Sequence, residues 1–488
     1  MSKIIKVFNS VSIFNILAIS LLLRLILINQ SFWLDEGSQA MTSLRPLKEI
    51  IFNNLNDFHP PLMYFLTHFW IQVSMSEQWL RLLPVIFGVA TVYVGFLLAQ
   101  KLLNKTSAKL FALLLSISPY HIYYSQEFRM YSLVTLLVML SMYFFVNLFT
   151  HKTYKNIVGF VISSVLILYT HYLGGTIFIA QLLFIILYKK DLVKKFLLYY
   201  LIIGLLFLPW LPQLLTQLQM GVAADTYLPG WTQMLSLSFY KAVPLLLIKF
   251  TIGRIDLNNT VMYVSLILVA VSVIGASVYP LLKRFKDEKV MFVFFWFVVP
   301  VVLTFLISFK LPMFQPFRLL FCLPAFYLLI VLGLEHTKKY KHLVLSAVVL
   351  LFFLCQSIFW FNPVFWREDW KGAITSSDIF VSERGTVLFA WVEPFPPYSF
   401  YSQSKKGLGV VVKNPSEYEA IDQRLLGISL GNKVVYYSYL SQLTDPDKNI
   451  EKWLELHNYK LIETKNYNGV GFVYYFVSPD QLIGVSSE

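Results

Sequence analysis

Three short polar clusters in this chain carry residue types that do chemistry, and each interrupts an apolar neighbourhood. The first is Trp33-Leu34-Asp35-Glu36. Two adjacent carboxylates beside a membrane supply either a general base for an acceptor hydroxyl or the start of a helix, with Asp35 as cap and Glu36 in the first turn. The second is Asp57-Phe58-His59-Pro60-Pro61. Its Pro-Pro pair fixes a turn and a helix entry, and the carboxylate and imidazole before it suit a divalent metal, a phosphate or plain solvation. The third is Ser125-Gln126-Glu127-Phe128-Arg129-Met130-Tyr131, within an aromatic-rich run holding Tyr120, Tyr123 and Tyr124. Glu127 and Arg129 form either an internal ion pair or part of a site. Arg81, His171, Lys310 and Arg318 stand at the ends of apolar stretches. There the basic groups either fork onto an anionic headgroup or snorkel to the interface.

The elements that must position these groups are membrane helices. Of the 488 residues 57% are hydrophobic and 14% charged, against about 45–50% and 25% for soluble domains. Blocks such as 196–208, 261–279 and 343–361 approach the roughly 20 apolar residues that cross a bilayer. The 43 Phe and 29 Tyr exclude disorder. Net charge +13 in a soluble chain would suggest nucleic acid. Here the excess belongs to the membrane part: residues 362–488 hold 12 basic and 15 acidic groups, leaving 28 and 12 for the rest. No basic segment alternates with stacking aromatics in a soluble context, so nucleic acid is not an expected partner. Cys322 and Cys355, both in apolar blocks, make neither a disulfide framework nor a metal site.

Basic connections at 101–109, 151–156, 189–195, 283–289 and 336–342 alternate with poorer ones at 31–80, 119–129, 171–175, 210–260 and 309–318. The positive-inside rule puts the first set in the cytoplasm and the second outside. About 11 spans are expected, the first a retained helix with a cytoplasmic start, since Arg24 interrupts its apolar run and no cleavage site follows. The domains expected are a membrane domain over 1–361, with external loop helices in 31–80 and 210–260, and an extracytoplasmic α/β domain over 362–488. In the latter TVLFAW, GVVV, KVVYYSYL and GFVYYFV read as strands, PSEYEAIDQRLLG and DKNIEKWLELHN as helices. Polar groups thus converge on one membrane face, carboxylates from early loops and cations from later ones. That suits transfer of a group from a lipid phosphate.

The segments SFWLDEGSQAM, DFHPPLMYFLTHFW, EQWLRLLPVIFGV and SPYHIYYSQEFRMYSL, in this order, resemble bacterial family 39 glycosyltransferases of the C-type superfamily. Protein O-mannosyltransferases and lipid A aminoarabinose transferases are relatives. The likeness is closest over about 30–175 and continues through YTHYLGG and FRLLFCLPAFYLLI to about 335; WREDWKG resembles a segment that often follows the last span. It implies a polytopic helical C-type fold in the cytoplasmic membrane and an enzyme moving a sugar from a polyprenyl-phosphate carrier to an acceptor outside, whether protein, lipid or polysaccharide. The catalytic acid falls on Asp35, with Glu36 beside it. The HPP motif falls on His59, Pro60 and Pro61, and the E-x-R-x-Y motif on Glu127, Arg129 and Tyr131; Arg81 and His171 join the substrate-binding set. The aminoarabinose transferases carry a lysine directly before the Pro-Pro pair, which helps hold the donor phosphate. Here that position is His59, so phosphate binding leans on Arg129, Arg318 or Lys310.

The implied reaction is one inverting displacement, with Asp35 taking the acceptor proton and the polyprenyl phosphate leaving. Charge stabilisation falls to arginine side chains or to a divalent cation held by Asp57, His59 or Glu127. Two rivals remain: a transporter or flippase of lipid-linked sugars, and a surface-polysaccharide polymerase or ligase. Transporters commonly show internal repeats and interrupted midplane helices, neither of which the sequence carries.

Overall fold

A computed structural model describes residues 10–52, 58–223, 230–337, 340–382, 385–391, 395–410, 418–426 and 428–478. The chain divides into two compact units. The first takes Met1–Ile28, Leu47–Gln219 and Ser236–Phe365; the second takes Asn29–Pro46, Met220–Leu235 and Trp366–Glu488. Composition drew a single boundary at 361/362. In the structure 29–46 and 220–235 fold with the C-terminal segment instead.

The first unit is a helical membrane body. Among the described residues seven helices are long and apolar enough to cross a bilayer, and Ile13–Leu25, Tyr154–Leu168 and Tyr172–Tyr188 are shorter apolar helices. Several apolar blocks are broken by turns, so that seven full-length candidates stand beside three shorter helices among the described residues. Pro316–His336 runs through the centre, with 89% of its apolar window buried. Lys190–Val222 and Thr260–Arg284 bury only 17% and 22%. Helices that are apolar yet exposed within the protein face lipid. At Gly333 the central helix meets Thr260–Val278 so closely that a Cβ would run into the Ser277 carbonyl, a small-residue crossing of the membrane kind. Away from it, Phe145 packs among Phe149, Phe160, Phe184, Phe196 and Phe292.

Glu77–Leu102 packs on Tyr131–Thr150, and Ile13–Leu25 on Glu77–Leu102 and Lys105–Ile117. Arg24, which interrupts the first apolar run, is fully buried. Its Nη1 donates to the Ser116 carbonyl (3.0 Å) and to the Ser20 hydroxyl (2.7 Å), and its Nη2 lies 2.6 Å from His121 Nδ1. It supplies donors to carbonyls at a helix C-terminus, which the helix itself leaves unsatisfied.

The second unit is a three-layer α/β body. Its mixed sheet has the order β2-β1-β3-β5-β4, with β1 Gly385–Phe389, β2 Gly407–Gly409, β3 Lys433–Tyr437, β4 Lys460–Tyr467 and β5 Gly471–Val477. β1 runs parallel to β2 and β3; β5 is antiparallel to β3 and β4. The period of two along β3 separates two cores. Val435 and Tyr437 join Trp370, Ile374 and Phe395 on one face, while Val434 and Tyr436 join Ile421, Leu425 and Trp453 on the other. Leu34, on the helix Leu34–Ser43, packs against the first of these cores.

Candidate active site

In the first unit the polar residues gather around a buried turn. Ser118 caps the helix Pro119–Ser125, whose Pro119 sits in its first turn, and the next long helix starts only at Tyr131. The intervening Gln126–Met130 has no helical ladder, yet every residue of it is buried. Irregular buried backbone is tolerated only where something satisfies it. Gln126 Nε2 donates to the carbonyls of Arg24 (2.9 Å) and Ile26 (2.6 Å), tying the turn to the end of the first helix.

From this turn Arg129 Nη2 reaches His59 Nδ1 at 3.3 Å. The rings of His59 and His171 lie 6.3 Å apart, and Tyr131 stands 6.3 Å from His171. Phe317 closes over Tyr131 at 5.2 Å and over Tyr124 at 6.0 Å. His171 sits in the turn between two apolar helices. Burial, reinforced by His59, Arg318 and Arg129, pushes its imidazole well below the usual range. Gln217 fixes the loop from below, donating from Nε2 to the His59 carbonyl (3.3 Å). His59, Arg129, Tyr131, His171 and Arg318 are therefore one basic, aromatic-walled cluster.

The remaining first-unit residues are placed differently. Arg318 Nη1 also donates to the Pro312 carbonyl at 2.9 Å. Arg81 is buried and donates to the Ile28 carbonyl at 3.0 Å, closing the end of the first helix. Lys310 lies on the exposed turn after Glu288–Ile307, outside the cluster. Glu127 acts electrostatically on Arg254, which sequence reasoning missed. Arg254 donates to the Tyr123 hydroxyl (2.9 Å) and lies 4.9 Å over its ring. The signal was available: a lone arginine in GRID, directly after an apolar helix and a positive-φ glycine.

Among the described residues no three His, Cys, Asp or Glu gather as a ligand set. Asp57 lies outside the described residues. His59 Nδ1 lies 3.3 Å from the Arg129 guanidinium, and Glu127 acts electrostatically on that of Arg254.

In the second unit Asp35 and Glu36 open the helix Leu34–Ser43. The cap is Trp33, so Asp35 is not the capping residue that one reading allowed; both acids lie in the first turn, where the helix dipole favours negative charge. Glu36 is fully buried, 3.8 Å from Arg367, and its carboxylate lies 3.5 Å from the Trp33 backbone N–H. Asp35 is half-buried. Of the two acids, Glu36 is committed to holding the helix start.

A helical membrane body with a buried cationic cluster, and a mixed-sheet unit that carries an acidic helix, define the C-type glycosyltransferase fold. The solved structures agree. ArnT from Cupriavidus metallidurans matches in the apo state at TM-score 0.59 and 10% identity, over 95% of this chain and 97% of that one. The same protein bound to undecaprenyl phosphate matches at 0.58 and 11%, over 95% and 97%. The Archaeoglobus fulgidus oligosaccharyltransferase in complex with Zn and sulfate matches at 0.53 and 14%, over 96% and 73%. Residues 58–215, which contain His59, Glu127, Arg129, Tyr131 and His171, match the family model of dolichyl-phosphate-mannose-protein mannosyltransferases. Within residues 58–215 the chain is thus similar to that family of membrane glycosyltransferases, as the motifs implied, and its fold is like that of ArnT and of the oligosaccharyltransferase. No protein of curated function matches it.

Proposed function

We propose that the protein transfers a sugar from a polyprenyl-phosphate carrier to an acceptor hydroxyl on the external face of the cytoplasmic membrane, with inversion at the anomeric carbon. The carrying observation is the cluster of His59 with the buried Arg129 and His171 inside the family-matched segment. Imidazole and guanidinium donors held by aromatic walls bind a phosphate monoester, and Arg129 presents a planar fork to its oxygens. Structural likeness to ArnT bound to undecaprenyl phosphate supports the donor class. Arg318 and the exposed Arg254 are further cations for the same headgroup.

Asp35 is the base. It removes the proton of the acceptor hydroxyl as that oxygen attacks the anomeric carbon, and the C–O bond to the phosphate breaks with its electrons. The phosphate leaves as an anion, so the cations lower the barrier by stabilising charge that grows in the transition state. Glu36, paired with Arg367, keeps its charge out of this chemistry. The lipid tail lies along the apolar, lipid-facing helices. The full set of about 11 spans, with the N-terminus cytoplasmic and 362–488 outside, completes the reading. It rests on the alternation of basic connections.

Membranes containing the protein, incubated with radiolabelled polyprenyl-phosphate sugars, should move label from the lipid fraction to an acceptor. Label that stays in the lipid but crosses the bilayer would favour a flippase instead. For orientation, a cysteine-free variant carrying Gln403→Cys should react with an impermeant maleimide in intact cells; labelling only after lysis contradicts it.

A further inference from the structure

The segment Trp366-Arg367-Glu368-Asp369-Trp370-Lys371 follows the last membrane helix, and its polar groups turn toward residues 29–36. The Arg367 backbone N–H donates to Gln30 Oε1 at 3.0 Å, and the Lys371 N–H to Ser31 Oγ at 3.0 Å. Glu368 Oε2 accepts from the Leu34 N–H at 3.3 Å and from Trp370 Nε1 at 2.6 Å, while its Oε1 accepts from the Tyr439 hydroxyl at 3.0 Å. The Phe32 N–H donates to the Tyr401 hydroxyl at 2.7 Å. Farther along, a Cβ at Gly37 would stand 3.0 Å from the Pro397 backbone nitrogen, so the helix lies directly on Pro396–Tyr401.

Glu368 is the central contact. Leu34 is the first residue of the helix, so its N–H is one of the groups no helix satisfies internally, and a carboxylate there also complements the dipole. Burying a carboxylate is costly, and three donors offset that cost. The charged and titratable groups acting on it are Asp35, one residue beyond Leu34, and Tyr439 beyond β3. Burial holds its carboxyl above the usual range; the bonds from Trp370, Tyr439 and Leu34 pull it back, and Asp35 pushes it up again.

We infer that Glu368 is a positioning residue for Asp35. It fixes the N-terminus of the base-bearing helix, which makes the C-terminal segment a working part of the transferase. The inference rests on the reading of Asp35 as base.

The test uses the full-length protein with radiolabelled polyprenyl-phosphate sugar in single turnover. Glu368→Gln keeps an oxygen acceptor and removes the charge. It should lower turnover about tenfold through misplacement of the base and leave donor KM unchanged. Glu368→Ala should cost about a hundredfold, and hydrogen exchange of the amides of residues 34–38 should quicken. Turnover within twofold in both variants, or a donor KM that rises in step with the loss of turnover in Glu368→Gln, overturns the inference. Unchanged exchange in Glu368→Ala overturns the hold on the helix whatever Asp35 does. Should Asp35→Asn keep wild-type turnover while exchange quickens in Glu368→Ala, the base assignment falls and the hold survives. If Glu368→Ala fails to fold, Glu368→Gln decides alone.

Discussion

The cationic turn of the membrane unit and the acidic helix of the second unit hold charge by opposite means. Arg129, His59 and His171 crowd together with Arg318, and what keeps them placed is packing. Tyr131, Tyr124 and Phe317 wall the cluster, and Gln126 pins its turn to the end of the first helix. Asp35 and Glu36 lie at a helix N-terminus, and what keeps them placed is a set of directed polar contacts from Arg367, Glu368 and Tyr401. A phosphate offers several oxygens to a guanidinium fork, so packing that holds the fork in place suffices for the binding proposed here. A base must meet one proton in one direction, and hydrogen bonds give direction that packing does not.

The strongest way to break this contrast is to neutralise Asp35, the proposed base. Asp35→Asn keeps the shape of the side chain but cannot take the proton, and general-base loss costs about 10²–10⁴ in rate. Single-turnover transfer should fall by that factor with thermal stability unchanged, and Glu36→Gln should cost less turnover and more stability. Arg367→Ala comes next. It removes the cation 3.8 Å from the buried Glu36, a loss of about 3 kcal/mol, seen as a lower thermal midpoint of the second unit. Arg129→Lys removes the fork but keeps the charge; donor KM should rise about tenfold, the worth of one charged hydrogen bond. Gly37→Ala has the smallest effect. Its methyl must push the helix a few tenths of an ångström off backbone, so turnover should drop severalfold while donor KM stays. A rise in donor KM instead would place the helix in phosphate binding.

The contrast also explains what the sequence discloses. The cationic turn is local: Glu127, Arg129 and Tyr131 lie within five residues, so spacing and aromatic context reveal it. Strands β1, β3 and β5 are legible because their apolar runs face two cores. β4 is not, since Lys460–Tyr467 is an edge strand whose alternation is polar and mostly exposed. The helix Trp370–Val381 is likewise missed, its start hidden in WREDWKG. The hold on Asp35 is illegible for a different reason. Leu34 and Glu368 are 334 residues apart, and nothing in either neighbourhood names the other. Arg24 reads as a flaw in an apolar run, whereas its guanidinium closes a neighbouring helix end. Charges whose partners are distant in the chain look like surface charges until the fold is known.

Equilibrium binding of radiolabelled polyprenyl phosphate to the full-length protein tests the division of roles most directly. Asp35→Asn should bind the lipid within twofold of wild type, and Arg129→Ala should bind it at least about tenfold more weakly. Lost binding in Asp35→Asn, or wild-type binding in Arg129→Ala, would contradict the account.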